Sequence, residues 1–189
     1  KEDTRKEGPL EYGVPPAAKN VKGDTKKRNE MLLKKGPMQA VHDGDIPFEK
    51  LPQLMKAHQL YAGLQKHEPL PKLENEWHYG ETGAGKSKHV REKYKDAYIK
   101  TNTKWFDNYM GQDTVIIEEM GPNQIGAHHM KQWADHYEFP AEVKGGIVNI
   151  RPKRIIVTSN YSIRQCWEKE EDYAPIERRF KQHHYPKQM

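Results

Sequence analysis

Residues 80–87 combine three glycines, a lysine and a serine at the spacing of a phosphate-binding loop. Glycines allow successive backbone N–H groups to turn towards phosphate oxygens, because no Cβ atom stands in the way. In such a loop Lys86 reaches the β- and γ-phosphates, and Ser87 binds Mg²⁺. A short aromatic stretch precedes the loop and a polar stretch without glycine or proline follows it, which predicts the required strand–loop–helix order. We therefore expect ATP and Mg²⁺ to bind at Gly80, Glu81, Thr82, Gly83, Ala84, Gly85, Lys86 and Ser87.

Two adjacent carboxylates follow the apolar run of residues 114–117. The β-branched residues of that run predict a strand buried on both faces. Glu118 is the predicted ligand of Mg²⁺, and Glu119 is the predicted general base that activates the attacking water. Acidic residues also end strands simply because they are well solvated, so the pair is a weak signal without the phosphate loop.

Asn160 follows a second apolar strand, predicted over residues 154–159. Its side-chain amide is expected beside the γ-phosphate, where it can donate to a phosphate oxygen and orient water. The alternative is an asparagine that only begins the next loop.

Arg178 and Arg179 follow the last predicted helix. A guanidinium near a transferring phosphoryl group stabilises the transition state, and in oligomeric ATPases it often comes from a neighbouring subunit. The alternative is a solvated basic tail over residues 177–189. Both arginines are expected site residues, and the sequence does not choose between them.

Lys144, Gly145 and Gly146 are predicted to lie at the tip of a hairpin over residues 143–150 that turns at the two glycines. A lysine on a protruding loop suits contacts with the phosphates of single-stranded DNA. The alternative is an ordinary glycine turn that carries a surface lysine.

Neither the single cysteine nor the adjacent histidines predict a metal site. Cys166 is expected to be an inert, apolar thiol, and one cysteine excludes a disulfide within the chain. Adjacent side chains, such as His128 and His129 or His183 and His184, diverge on a strand and lie about 100° apart on a helix. We therefore expect no metal site made only of protein ligands.

The composition divides the chain into three parts. Of its 189 residues 34% are hydrophobic and 31% are charged, and the net charge of +5 fits contact with a polyanion without proving it. Residues 1–23 read as a tail and linker, residues 24–70 predict helices, and residues 71–189 predict alternating strands and helices, hence an α/β domain. No apolar run reaches membrane-spanning length, so no membrane contact is expected.

The predicted helical part begins with a helix over residues 24–35, with Asp24 or Thr25 as its N-cap and Gly36 as its stop. Two or three short helices follow within residues 46–67. The part is too small for a strong core of its own, so we expect it to self-associate. The alternative is a small helical subdomain that packs only on its own chain.

Five ordered elements together resemble the helicase part of the replication-initiator (Rep) proteins of circular single-stranded DNA viruses, the circovirus-like group. They are Trp77 with the phosphate loop, the stretch Lys104, Trp105, Phe106, Asp107, Asn108 and Tyr109, the glutamate pair, Lys144 with its two glycines, and Thr158, Ser159 and Asn160. The resemblance implies an α/β fold, an AAA+-like phosphate-loop ATPase core with a small N-terminal all-helical oligomerisation domain. It further implies a superfamily 3 helicase that forms hexameric rings, moves 3′ to 5′ along single-stranded DNA in rolling-circle replication, and works in the host nucleus.

The resemblance also implies a role for each motif. Lys86 and Ser87 fall on the Walker A motif, Glu118 and Glu119 on Walker B, Lys144 on the DNA-contacting hairpin, Asn160 on motif C, and Arg178 and Arg179 on the paired arginines that include the arginine finger.

Residues 5–13 resemble the last strand of the nuclease domain of the same group. That nuclease needs a tyrosine followed three residues later by lysine, and two histidines that flank one apolar residue. The sequence contains neither pattern, so we do not expect this chain to nick or join DNA. The Glu-Glu pair also departs from the Asp-Asp of many relatives, which keeps the charge but lengthens the reach.

Two other functions stay open. A nucleotide or polynucleotide kinase would use the same loop, but it needs an acceptor site and a mobile lid, and no lid is evident in the sequence. An oligomerisation module with a structural nucleotide would assemble without appreciable ATP turnover.

Overall fold

The computed structural model describes residues 21–186, and these belong to two compact units that divide between Leu51 and Pro52. The predicted nuclease strand over residues 5–13 lies outside the described residues. The predicted helical domain over residues 24–70 does not coincide with either unit, because its last helix belongs almost wholly to the second. The domain boundaries therefore stay a prediction.

The first unit contains the helices α1 (Val21–Lys35) and α2 (Pro37–His42) and a 3-10 turn at Phe48–Lys50. The chain breaks between the two helices at Gly36, as predicted, where a φ of 83° favours glycine. The predicted N-cap at Asp24 or Thr25 is wrong, because α1 begins earlier and places Asp24 in its first turn. There its carboxylate complements the positive end of the helix dipole.

The second unit contains α3 (Leu51–Leu64) from Pro52 onwards, and this proline lies in the first turn of the helix. Gly63 of this helix packs closely against Val148, and a Cβ on Gly63 would lie 2.8 Å from the Cβ of Val148. A larger residue at position 63 would not fit at this distance, so glycine allows α3 to lie close to the backbone around Val148.

A five-stranded sheet forms the centre of the second unit, and all its neighbouring strands are parallel. The order is β2-β3-β6-β1-β7. The strands are β1 (Asn75–Gly80), β2 (Tyr98–Lys100), β3 (Thr114–Met120), β6 (Arg154–Ser159) and β7 (Phe180–Tyr185). The predicted strand over residues 154–159 is confirmed to the residue, and the run of residues 114–117, predicted as a buried strand, lies within β3.

The apolar runs of β3 and β6 are buried on both faces of the sheet. Ile116 and Ile156 pack on one face with Val90 of α4 (Lys86–Lys93), whereas Ile117 and Val157 join the larger core on the other face. Because side chains alternate along a strand, continuous β-branched runs are what such a double-sided strand requires.

The larger core also contains three helices and a hairpin. The helices are α5 (Ala127–Trp133), α6 (Ile163–Cys166) and α7 (Glu170–Glu177), and the hairpin strands are β4 (Phe139–Val143) and β5 (Gly146–Ile150). The hairpin turns at Lys144 and Gly145, one residue earlier than predicted, and Gly145 takes the positive φ of 87°. Gly146 instead begins β5 and pairs with Val143.

Within the described residues, the basic stretch after α7 is not the solvated tail that the sequence allowed. Residues 180–185 form β7, which runs parallel to β1 from the pair Asn75–Phe180 to the pair Gly80–Tyr185. Four of its six side chains are Lys, Gln, His and His, so its pairing with β1 rests on backbone hydrogen bonds rather than on an apolar pattern.

Lys100, at the end of β2, is buried, and burial lowers the pKa of its ammonium group to about 8. Between this pKa and the ordinary value of 10.5 the unfolded chain binds more protons than the folded chain, so stability rises with pH in that window. The free energy of unfolding of the parent minus that of a Lys100→Met variant should therefore rise by about 3 kcal/mol from the bottom to the top of this pH window. Denaturant titrations of both proteins at neutral pH and at the top of the window measure this difference. If the difference between the two proteins is the same at both pH values, the prediction is wrong.

Within residues 21–186, no helix has both the length and the apolar character needed to cross a membrane.

Candidate active site

The predicted site residues meet at the carboxyl edge of the sheet. The phosphate loop follows β1, Glu119 lies near the end of β3, and Asn160 follows β6. Because β3, β6 and β1 are adjacent and parallel, their carboxyl ends open onto one crevice, which is where ligands bind in open α/β sheets.

Three glycines give the phosphate loop its shape. Gly80 has a φ of 138°, and a Cβ at this position would collide with the carbonyl oxygen of Tyr185 in β7. Gly83 and Gly85 have φ values of 83° and 81°, and Gly85 is the residue from which α4 begins. The loop therefore delivers its backbone N–H groups and the N-terminus of α4 to the same place, which favours an anion.

Lys86 lies folded over the loop. Its ammonium group donates to the carbonyl oxygens of Gly80 at 2.8 Å and Glu81 at 2.7 Å, and to Oδ1 of Asn160 at 3.2 Å. Burial lowers the pKa of Lys86, with the carboxylates of Glu81 and Glu119 acting in the opposite direction. A phosphate oxygen offers this cation a better partner than neutral carbonyls, so the lysine is positioned to transfer its bonds to a bound phosphate.

Thr158 links the loop to the acidic strand. Its Oγ1 accepts a hydrogen bond from the backbone N–H of Glu119 at 3.2 Å and lies 3.5 Å from Oγ of Ser87. The residue is fully buried. This role was not predicted from the sequence, although Thr158 lies in β6 only two residues before the predicted site residue Asn160.

Glu119 projects into the crevice because β3 is irregular at this point. The pairing of β3 with β6 shifts register between Ile117 and Met120, and Glu119 has a φ of 52°. A cavity of about 260 Å³ results, smaller than the roughly 300–1,000 Å³ of pockets for whole ligands, so it suits the phosphate part of a nucleotide. Its walls include Thr82, Gly83, Gly85, Lys86, Ser87, Glu119, Thr158 and Asn160.

Glu118 points elsewhere, which differs from its predicted role as the magnesium ligand. Its carboxylate forms a two-pronged ion pair with Arg91 of α4, with a distance of 2.8 Å from Nε, and it does not line the cavity. The same pair raises the pKa of Arg91. The structure therefore brings one carboxylate of the pair to the cavity and directs the other to the outer side of α4.

Asn102 holds the end of β3 in place, and the sequence analysis missed it. Its amide nitrogen donates to the carbonyl oxygens of Glu118 at 2.9 Å and Glu119 at 3.3 Å, and to Oε1 of Gln124 at 3.0 Å. These bonds fix the irregular backbone that aims Glu119 at the cavity. No local pattern marks this residue, since its partners lie at least 16 positions away.

Lys144 lies at the hairpin tip with 86% of its side chain exposed. Its backbone N–H donates to Oδ1 of Asp107 at 2.7 Å, which fixes the tip, and its ammonium group lies 4.0 Å from Oδ2 of the same carboxylate. Lys144 does not line the phosphate cavity, and its exposed side chain is accessible to a phosphate group.

The two adjacent arginines have different surroundings. Arg179 donates to Oδ2 of Asp135 at 2.6 Å and to the carbonyl oxygen of Pro175 at 2.8 Å, and only 13% of its side chain is exposed. Arg178 is exposed and makes no ion pair with another residue in the described part of the chain. Of the two predicted finger residues, only Arg178 is therefore available to a partner.

Arg178 lies at the opposite edge of the sheet from the phosphate loop. It precedes β7, whose first residue Phe180 pairs with Asn75 at the start of β1. A second cavity, of about 630 Å³, opens at this amino edge. Its lining is rich in basic residues and includes Lys72, Arg154, Arg178, Arg179 and Lys181, with Glu74 and Glu76 as the acidic members.

The cysteine and histidine predictions have different outcomes. Cys166 is buried, and burial raises the pKa of its thiol to about 11, which agrees with the predicted inert role. The rings of His183 and His184 project to opposite sides of β7, so this adjacent pair forms no chelate, as predicted. His183 instead lies on one face of the sheet with Glu76 and His78, and their ligand atoms are close enough to hold a metal ion, a combination that was not predicted.

The comparisons with known proteins match the part of the chain that contains this cavity. A family model described as RNA helicase matches residues 76–161, which hold the phosphate loop, both glutamates and Asn160. The chain is 36% identical over 103 residues to the replication-associated protein of Beak and feather disease virus, and 31% identical over 105 residues to that of Goose circovirus. The predicted resemblance to viral Rep proteins is confirmed. The replication-associated protein of Human associated cyclovirus 1 is a third relative, 30% identical over 115 residues.

The alignments cover 54%, 55% and 53% of this chain, and 35%, 36% and 41% of these Rep relatives. The chain therefore spans little more than a third of the length of the Rep proteins that it matches. Residues 76–161, which match the RNA helicase model, lie in the mixed α/β part that contains the parallel sheet.

Proposed function

We propose that this chain is the motor part of a viral Rep protein, which hydrolyses ATP and moves 3′ to 5′ along single-stranded DNA as a hexameric ring in rolling-circle replication. The observation that carries the proposal is the cavity in which Lys86, Glu119 and Asn160 face one another at the carboxyl edge of the sheet. The match to the helicase family favours this function over a nucleotide or polynucleotide kinase.

The cavity residues divide the work of phosphoryl transfer. Lys86 leaves the carbonyl oxygens of its own loop and binds the β- and γ-phosphates. Glu119 accepts the proton of the attacking water, and Asn160 orients that water. Ser87 is the residue that would hold Mg²⁺, which supplies positive charge beside the phosphates.

Arg178 completes the site of a neighbouring subunit rather than its own. β1 has six residues, so the edge that carries Arg178 and the edge that carries the phosphate loop lie roughly 17 Å apart. An arginine side chain does not span that distance, and Arg178 has no competing ion-pair partner in the described chain. Arg178 at the amino edge can therefore meet a phosphate loop only in another copy, as a ring of subunits provides.

Self-association also has support from exposed apolar side chains in each unit. In the first unit Phe48 and Met38 are 75% and 69% exposed, and in the second Leu64 is 80% exposed. Large apolar groups in contact with water are candidates for burial between subunits. The hexameric state and the location in the host nucleus both belong to this proposal.

Lys144 is the proposed contact with DNA, and its replacement tests the function. We expect Lys144→Ala to keep basal ATP turnover, to lose stimulation by single-stranded DNA, and to stop displacing a strand from a duplex with a 3′ tail. The slope of log affinity against log salt should fall by about 0.7 for each DNA phosphate that the variant no longer neutralises.

The matched control is Lys153→Ala, which removes an exposed lysine that pairs with Asp113 at 2.7 Å. It should unwind duplexes like the parent. Unwinding from a 5′ tail only would contradict the polarity. Transfer of phosphate from ATP to a 5′-hydroxyl oligonucleotide would favour the kinase function instead.

A further inference from the structure

Three side chains with metal-binding atoms lie on the face of the sheet that α4 covers. Glu76 and His78 are two residues apart on β1, and His183 is the residue of β7 that pairs with His78. Because alternate residues of a strand share a face, all three project to the same side. One ligand atom from each of the three lies within 4.8 Å of the other two.

His78 is held in the orientation that a metal ligand needs. Its Nδ1 lies 3.0 Å from the hydroxyl group of Tyr185, and its Nε2 lies 2.9 Å from Oε2 of Glu76. One ring nitrogen is thus fixed by a supporting residue while the other faces a carboxylate. Metal-binding histidines are oriented in the same way, by a hydrogen bond to the ring nitrogen that does not bind the metal.

Glu76 is prepared in a similar way. Its Oε1 accepts hydrogen bonds from Lys93 at 2.7 Å and from the hydroxyl group of Tyr94 at 3.1 Å. Both donors belong to the end of α4 and leave Oε2 directed at His78. Oε2, the oxygen that a metal would bind, therefore has no bond to Lys93 or Tyr94.

His183 has a buried ring nitrogen without a hydrogen-bond partner in the described chain. Its ring stacks on His78, with ring centroids 4.7 Å apart and planes inclined by 11°. The nitrogen without a partner is Nε2. A buried polar atom without a partner destabilises the fold, and a ligand bound beside Glu76 and His78 would remove that cost.

We propose that Glu76 Oε2, His78 Nε2 and His183 Nε2 bind a zinc ion, with water as the fourth ligand. Imidazole nitrogens select zinc over magnesium, and three protein ligands with one open position form a common zinc arrangement. Tetrahedral zinc holds its ligand atoms roughly 3.3 Å apart, and the ion lies in the ring plane of each histidine that binds it, so binding requires the ring of His183 to turn out of its stack on His78. Nε2 of His78 must carry no proton when the ion binds, so the single ring proton lies on Nδ1, which donates to the hydroxyl oxygen of Tyr185.

The site ties the edge strand β7 to β1. This matters because β7 closely follows Arg178 and has few apolar side chains to hold it in the sheet. Zinc should therefore stabilise the folded chain, and the inference does not depend on helicase activity.

A titration of the full chain with Co²⁺, after removal of metals with a chelator, tests the site. We expect the visible absorption band of four-coordinate cobalt, its displacement by Zn²⁺, and a rise in Tm when Zn²⁺ is added. His183→Ala should weaken binding by roughly 100-fold or more, because loss of a ligand exceeds the roughly 10- to 100-fold cost of losing a supporting residue.

The adjacent His184→Ala is the matched control, since His184 projects to the other side of the strand and packs on Tyr79 with ring centroids 5.1 Å apart. It should bind Co²⁺ like the parent. Absence of the cobalt band from the parent would overturn the proposal even if His183→Ala failed to fold. An equal loss of affinity in both variants would overturn it as well.

Discussion

Replacement of Arg178 with alanine should lower ATP turnover by roughly 10³- to 10⁵-fold, the usual loss when an arginine finger is removed. The side chain is exposed, lies at the sheet edge opposite the phosphate loop and has no ion-pair partner in its own described chain. Binding of ATP should persist, because the phosphate loop is unchanged. Steady-state turnover and equilibrium nucleotide binding of the purified variant measure the two effects.

A mixing experiment distinguishes a finger that acts between subunits from one that acts within a subunit. Arg178→Ala keeps an intact phosphate loop, and Lys86→Ala keeps an intact finger. If the site lies between copies, a mixture of the two inactive variants contains some interfaces with both groups and regains turnover. A mixture that stays inactive while rings still form would contradict the assignment.

Arg179 provides the comparison within the arginine pair. Its bonds to Asp135 and Pro175 are internal and largely buried. We therefore expect Arg179→Ala to lower Tm, because the carboxylate of Asp135 loses the cation that holds its pKa down against the effect of burial. If Arg179→Ala folds but loses as much ATP turnover as is expected for Arg178→Ala, Arg179 and not Arg178 is the arginine finger.

Glu119→Gln should lower ATP turnover by roughly 10²- to 10⁴-fold while ATP still binds, because the amide keeps the shape of the side chain but cannot accept a proton. Glu119 is the member of the acidic pair that lines the phosphate cavity. Single-turnover hydrolysis measures the chemical step apart from binding and product release.

Glu118→Gln is the matched control for that experiment, since it makes the same chemical change one residue away. Glu118 is paired with Arg91, so we expect a smaller loss of turnover in this variant. If Glu118 binds Mg²⁺, as its Walker B position implies, Glu118→Gln will raise the Mg²⁺ concentration needed for half-maximal turnover. If Glu118→Gln loses as much turnover as Glu119→Gln at saturating Mg²⁺, the assignment of Glu119 as the general base, which rests on its place in the cavity, is wrong.

The parts of the site that depend on short-range sequence were predictable. The phosphate loop needs glycines at fixed intervals, because each positive φ falls within one turn of chain. The strands β3 and β6 were predictable because continuous β-branched runs of that length suit a strand buried on both faces. Asn160 followed from its place directly after such a strand.

Other features depend on partners far along the chain. β7 was not predicted because its polar side chains show no strand pattern, and its order comes from backbone pairing with β1 about 100 residues earlier. The orientation of Glu118 is set by its ion pair with Arg91 of α4, and that of Glu119 by the hydrogen bond from the amide of Asn102 to its carbonyl oxygen. None of these interactions leaves a local signature.

The sequence by itself determined which chemical groups this protein carries and the strand ends at which they lie, because motif spacing and β-branched runs act over a few residues. Only the tertiary structure decided which of two equivalent neighbours is available. It placed Glu119 rather than Glu118 in the cavity, left Arg178 rather than Arg179 exposed and without an ion pair in the described chain, and set His183 rather than His184 beside Glu76 and His78. Adjacent residues of the same type are alike in sequence, and they differ only in what surrounds each side chain after folding.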